Sequence, residues 1–174
     1  RGDGAARRLV ARYDTGAWSL YSLGGRESSL GYHKLVTEFL GNLCDRSGGH
    51  PYCAAHRRFA AYLRQPPRIH IARLVRLRMH RATTVRFTLS KVSGVAVRVT
   101  GPHGVSLYRR LTLTRGAHTL GWTPPARGIY HVQVVAQGPS GPRGSARETV
   151  RVTLPLPKPH HRQRKGSRAA SKHR

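Results

Sequence analysis

Side chains able to do chemistry are few, and they gather near the start of the sequence. Tyr13, Tyr21 and Tyr32 stand there with His33, flanked by the cations Arg12, Arg26 and Lys34. A phenol, with its ordinary pKa of about 10, is a poor base at neutral pH. It can move a proton only if nearby cations lower that value, or if it ionises as the reaction proceeds. Each residue also has a plain structural reading. Tyr21 would pack across a hairpin, Tyr32 would staple a helix start, and His33 would be a hydrogen-bonded orienting group. The sequence contains no P-loop, GxGxxG, GxSxG or HExxH, and no two carboxylates are placed as an acid/base pair.

These residues need elements to hold them. "YDTGAWSLYS" (13–22) reads as a hairpin turning at Asp14-Thr15-Gly16, with Trp18 and Tyr21 on its second strand. In "GYHKLVTEFLGNLC", Leu35, Val36, Phe39, Leu40 and Leu43 form the stripe of an amphipathic helix. A second helix starts at Pro51 and carries Tyr52, Ala55, Phe59, Tyr62 and Leu63 on one face, until Gln65-Pro66-Pro67 stops it. This antiparallel pair behind a hairpin is too small to build a full core alone. Cys44 and Cys53 flank the loop between the helices. Their spacing fits no zinc finger and leaves two readings open, a disulfide stapling the helix ends or two buried thiols. A disulfide would point to an extracytoplasmic, secreted location.

Beyond Arg68 the period changes from helical to alternating. "RIHIARLVRLRMHR", "TTVRFTLSK", "GVAVRVTG", "VSLYRRLTLT", "GAHTLGWTP", "GIYHVQVVAQ" and "ARETVRVTL" are short β-branched runs separated by Gly, Pro and Ser. They predict an all-β sandwich of about seven strands. Val95, Val97 and Val99 share one face of their strand, with Arg98 on the other. "GWTPPARGIYHVQVVA" resembles the late strands of immunoglobulin-like or fibronectin-type modules, with Trp122 and Tyr130 in the core. The last stretch, "PLPKPHHRQRKGSRAASKHR", is Pro-rich and then basic, and predicts a disordered tail. His160-His161 has no third metal ligand nearby.

The formal net charge is +26, and five of the six acids lie in the first 45 residues. Such a surface attracts polyanions: acidic polysaccharide, nucleic acid or anionic membrane. An Arg-, Ala- and Gly-rich composition also follows from a GC-rich genome. Nucleic-acid binding rests on charge alone, because no RNP-like aromatic pair, helix-turn-helix or finger spacing is present. No apolar run approaches the roughly 18 residues of a transmembrane helix. The sequence opens "RGDGAARRLV" without an initiator Met, and we read it as a C-terminal fragment.

"YDTGAWSLYSL", "ESSLGYHKLVTEFLGNLC" and "RFAAYLRQPP", over residues 9 to about 67, resemble the C-terminal domain of the D-glucuronyl C5-epimerase family. The resemblance implies the end of an (α/α) toroid, an isomerase that inverts C5 of glucuronate in a polysaccharide, and no organic cofactor. It implies Tyr21 and Tyr32 as proton-moving residues, with His33, Arg12 and Arg26 near the substrate. Animal-type members tend to carry a further His where Val36 stands here. The piece is too short to hold a complete active site.

The expected fold class is therefore α+β in two parts. Residues 1–67 would be a hairpin and helix pair from a toroid end, 68–154 an immunoglobulin-like sandwich, and 155–174 the basic tail. The expected partner is a uronate-containing acidic polysaccharide. It would be either the substrate of an epimerase or the ligand of a non-catalytic binding module for the cell envelope.

Overall fold

A computed structural model describes residues 2–154. The basic tail and the His160-His161 pair lie outside the described residues. Three α-helices come first: α1 (Gly2–Val10), α2 (Leu30–Ser47) and α3 (His50–Tyr62), with a single 3-10 turn (Ala11–Tyr13) after α1. The start of α2 is capped by Ser29, whose hydroxyl accepts from the Tyr32 N–H. Gly48 ends the helix in the left-handed conformation, returning its N–H to Cys44 O. A disulfide joins Cys44 to Cys53, with their Cα atoms 4.8 Å apart, and ties the last turn of α2 to the first turn of α3. Asp3 seats α1 against α3, accepting from Tyr52 Oη at 2.7 Å and from Arg7 Nε.

Eight strands follow: β1 (Ile69–Ile71), β2 (Leu77–Arg78), β3 (Thr83–Leu89), β4 (Ser93–Gly101), β5 (Gly104–Leu113), β6 (Gly116–Trp122), β7 (Gly128–Gln137) and β8 (Gly144–Thr153). One sheet has the order β1-β3-β6, the other β2-β8-β7-β4-β5. Between them lies one core, with Val85, Val97, Val99, Val132 and Val134 fully buried and Trp122 against Tyr130 at 5.0 Å. The run "RIHIARLVRLRMHR" is not one strand. It turns near Arg76, at φ 54°, so that β1 pairs with β3 in one sheet and β2 runs parallel to β8 in the other.

The expected fold class is corrected in kind. Among the described residues the chain is mostly β with three helices, rather than the end of a toroid followed by an immunoglobulin-like module. The helices close a core of their own around Trp18, Leu40, Tyr52, Phe59 and Tyr62. They then dock on loops of the β region. Both carboxylate oxygens of Glu27 accept backbone N–H groups, from Val92 and from Arg115, at 2.8 Å each. Lys91 Nζ donates to the carbonyls of Tyr62 and Gln65 at the end of α3.

The hairpin at 13–22 is also absent as such. Two isolated bridges, Asp14 to Ser19 and Leu20 to Glu27, replace it. Ala17, Trp18, Ser19 and Leu20 are buried in succession, which a strand with one face open to solvent cannot achieve. The Thr15 hydroxyl holds the turn by accepting from the Trp18 N–H at 2.9 Å, and Asp14 Oδ1 accepts from the Gly16 N–H.

Candidate polyanion-binding face

Val95, Val97 and Val99 of β4 and Val132 and Val134 of β7 face the core, so alternation sends the residues between them outward. Registers across β5, β4, β7 and β8 then align Tyr108, Arg98, Gln133 and Arg147 in one row on the outer face of the five-stranded sheet. At about 4.8 Å per strand, Arg98 and Arg147 stand roughly 10 Å apart. Arg110, beside Ala96 in the next row, and Arg151, opposite Ile129, extend the same face in both directions. Arg78 on β2 shares it next to Thr153. The carboxylate of the β region, Glu148, has the other parity and sits opposite buried Val132. The two ion pairs among the described residues, Arg7–Asp3 and Arg58–Asp14, are both confined to the helical region. The guanidiniums of this face therefore have no carboxylate partner among the described residues.

Between these cations the face offers neutral hydrogen-bonding groups and two recesses. His131 Nδ1 lies 3.1 Å from Thr149 Oγ1. Tyr108 Oη accepts from Arg110 Nε at 2.6 Å, which fixes both side chains. Gly94 and Ala96 leave the sheet surface low, and a groove of about 500 Å³ opens there between Arg110 and Arg143. Arg143 is held at its rim by Gln137 Oε1, while Gln137 Nε2 donates to Gly141 O. At the opposite end a recess of about 640 Å³ is bounded by Arg78, Arg127 and Arg151.

The residues singled out near the N-terminus divide into two groups. Tyr21 and Tyr32 do come together, ring to ring at 4.8 Å in an edge arrangement, and Arg26 lies 5.6 Å from the Tyr21 ring. Tyr21 and Tyr32, with Tyr13, Val36 and Phe59, line a slot of about 210 Å³ that does not include Arg26, and Tyr21 is 52% exposed. His33 is not part of it. It is 0% exposed and stacks on Trp18 at 3.8 Å. Its Nδ1 takes the Ser19 N–H and lies 2.8 Å from Ser19 Oγ, and its Nε2 lies 3.0 Å from Phe59 O. Both ring nitrogens are thus occupied inside the protein. Burial pushes the imidazole pKa down, and the charge of Lys91 adds to that. Arg12 is exposed at the 3-10 turn and does not line the slot. Among the described residues no group of three or more His, Cys, Asp or Glu could hold a metal ion.

The arginine face was only partly readable in advance. Alternation puts Arg98 opposite the valine face of its own strand, but Arg110, Arg147 and Arg151 join it only through strand order.

No family model matches the chain, and no curated protein matches it. Solved structures similar to it include the crystal structure of a CARDB domain from Pyrococcus furiosus, at 14% identity and a TM-score of 0.38, covering 51% of this chain and 94% of that one. Another is the soluble domain of PmoD from a Methylocystis species, at 12% identity and a TM-score of 0.38, covering 49% of this chain and 90% of that one. The resemblance of residues 9–67 to D-glucuronyl C5-epimerases is accordingly corrected. Neither a family model nor a curated protein supports it. No helix among the described residues is long and apolar enough to cross a membrane.

Proposed function

We propose that this chain is a non-catalytic binding module for acidic polysaccharide in an extracytoplasmic setting, and that the outer face of the five-stranded sheet is its contact surface. The observation that carries this reading is the row Tyr108–Arg98–Gln133–Arg147, with Arg110 and Arg151 beside it and no carboxylate on the same face. A guanidinium fork matches a carboxylate or sulfate in two parallel hydrogen bonds. Gln133, Thr149 and Tyr108 offer partners for sugar hydroxyls between the charges. A flat, strand-borne surface suits an extended chain, and the overall charge of +26 raises the rate of encounter with a polyanion. Binding in this manner weakens as salt screens it.

Two observations favour polysaccharide over nucleic acid. Among the described residues the sheet face carries one Tyr, Phe or Trp side chain, Tyr108, whereas single-stranded nucleic acid is held by several stacking rings. The Cys44–Cys53 disulfide fits an oxidising compartment outside the cytoplasm.

The test is the affinity of the full chain for polyglucuronate at fixed ionic strength. Arg98→Ala, Arg110→Ala and Arg147→Ala combined should weaken it far more than Arg8→Ala, Arg57→Ala and Arg86→Ala, which remove equal charge elsewhere. Equal losses would sink the assignment of the face. A single-stranded oligonucleotide of matched charge that binds more tightly than the polysaccharide would replace one partner class with the other.

A further inference from the structure

The recess at the far end of the same face differs from the open arginine row. Arg78, Arg127 and Arg151 line it together, and its apolar floor is built from Ile129 and Leu154, which are 50% and 52% exposed. One of the three cations is held by the surrounding structure, and the backbone that carries a second is fixed. Arg78 is half-buried on β2 and donates through Nη1 to Leu154 O at 3.0 Å, which holds the guanidinium at the recess. Arg127 follows a turn that Tyr130 clamps: the Tyr130 hydroxyl donates to Ala126 O at 2.9 Å and accepts from the Ala126 N–H at 3.2 Å. The next residue, Gly128, has φ 144° and lies against Pro102, so a side chain there would collide with the proline ring. The turn carrying Arg127 is thereby fixed on both sides. Arg151 comes from the regular strand β8, opposite Ile129.

Three cations around an exposed aliphatic floor match a ligand with one anionic group and one apolar face. A pyranose uronate has both, a carboxylate at one edge and a face of ring C–H groups. We propose that this recess is a discrete subsite for a single uronate residue of the polymer, the carboxylate held by Arg78, Arg127 and Arg151 and the sugar ring resting on Ile129 and Leu154. This rests on the polysaccharide reading of the sheet face and narrows it to a sugar class and a position. Arg78, already held at Leu154 O, loses less freedom on binding than a free surface side chain does.

The test uses the full chain and calorimetric titration with a glucuronate trisaccharide, its carboxyl-reduced neutral counterpart, and inorganic sulfate. The acidic trisaccharide should bind and the neutral one should not. Arg127→Ala with Arg151→Ala should weaken the trisaccharide by about tenfold or more, the loss expected for charge-assisted hydrogen bonds. Arg98→Ala with Arg110→Ala should change it by less than about twofold while weakening the long polymer, as expected of sites that do not touch one ligand. Ile129→Ser should weaken the trisaccharide and leave sulfate binding unchanged. All of these positions are at the surface, and near-UV circular dichroism confirms that each variant is folded. The subsite is overturned if the Arg127/Arg151 pair leaves trisaccharide affinity intact. It is equally overturned if the neutral sugar binds as well, or if the polymer binds and the trisaccharide does not. If wild-type protein binds no polyuronate at all, the underlying reading of the face fails instead.

Discussion

The ammonium of Lys91 lies 5.2 Å from the ring centroid of Trp18, and both groups are closed off from solvent, Lys91 at 1% exposure and Trp18 at 0%. Lys91 leaves the loop after β3 and donates to the Tyr62 and Gln65 carbonyls at 2.8 and 2.7 Å. The Tyr62 carbonyl belongs to the unpaired end of α3, and Gln65 lies in the turn that follows it. One lysine thus caps a helix, covers an indole and joins the helical region to the sheets. Burial lowers its pKa, with Arg68 adding to the effect, so the contact succeeds only because both carbonyls and the ring compensate for lost water.

Lys91→Met keeps the length of the side chain and removes the donor. The buried Tyr62 carbonyl and the part-buried Gln65 carbonyl then lose their partner, at a cost of about 1–3 kcal/mol for the buried one. Urea denaturation should show a lowered midpoint. A midpoint equal to wild type would mean that water replaces the ammonium.

His33 should make stability depend on pH. Burial holds its folded-state pKa below the ordinary 6.5, so the unfolded chain binds the proton first as pH falls. The unfolded state then carries more protons, and stability rises with pH through this range. The contribution is therefore complete above 6.5 and is lost as pH falls from 6.5 through the lower folded-state value. His33→Gln should flatten the denaturation midpoint over that window. An unchanged slope would assign the dependence to the other histidines.

Gly144 opens β8 where Pro67 crosses it. A Cβ at that position would meet the Pro67 carbonyl, and both partners are backbone. Gly144→Ala should destabilise by about 1–3 kcal/mol through overpacking. Gly121→Ala, on β6 with nothing within 4 Å of the added carbon, is the control and should be neutral or slightly stabilising. Thermal melts of the two variants separate the cases, and equal melts would refute the close approach.

Reduction of Cys44–Cys53, or Cys44→Ser, reopens a loop with a sequence separation of 9. Loop-closure entropy puts the loss at about 2–3 kcal/mol. Thiol titration of the native protein should find no free sulfhydryl, and denaturation with and without reductant should show the loss. Two titratable thiols in protein purified without reductant would contradict the bridge.

Periodicity located α2, α3 and most of the strands, because a side chain's direction repeats every 3.6 or every 2 residues, but it gave no sign of α1 and put Leu35 and Phe39, both 61% exposed, on the apolar stripe of α2. "GVAVRVTG" announces a valine face and an arginine face without any neighbour. The spacing of Cys44 and Cys53 across a Gly-Gly loop likewise kept a disulfide in view. Other features depend on partners far away in the chain. Trp18 and its neighbours sit in a stretch that alternates on paper, yet Ala17 to Leu20 are all buried because α2 and α3 cover the segment from one side and Lys91 from another. His33 looks like a companion of Tyr32, but one step along a helix turns a side chain by about 100°, and that step sends His33 into the core while Tyr32 stays at the slot. Arg98 and Arg147 are 49 positions apart and share a row only because β7 lies between their strands. Strand order is a long-range choice made by packing the two sheets, so the charge of this protein was written in its sequence, and its arrangement into one acid-free face was decided only by the fold.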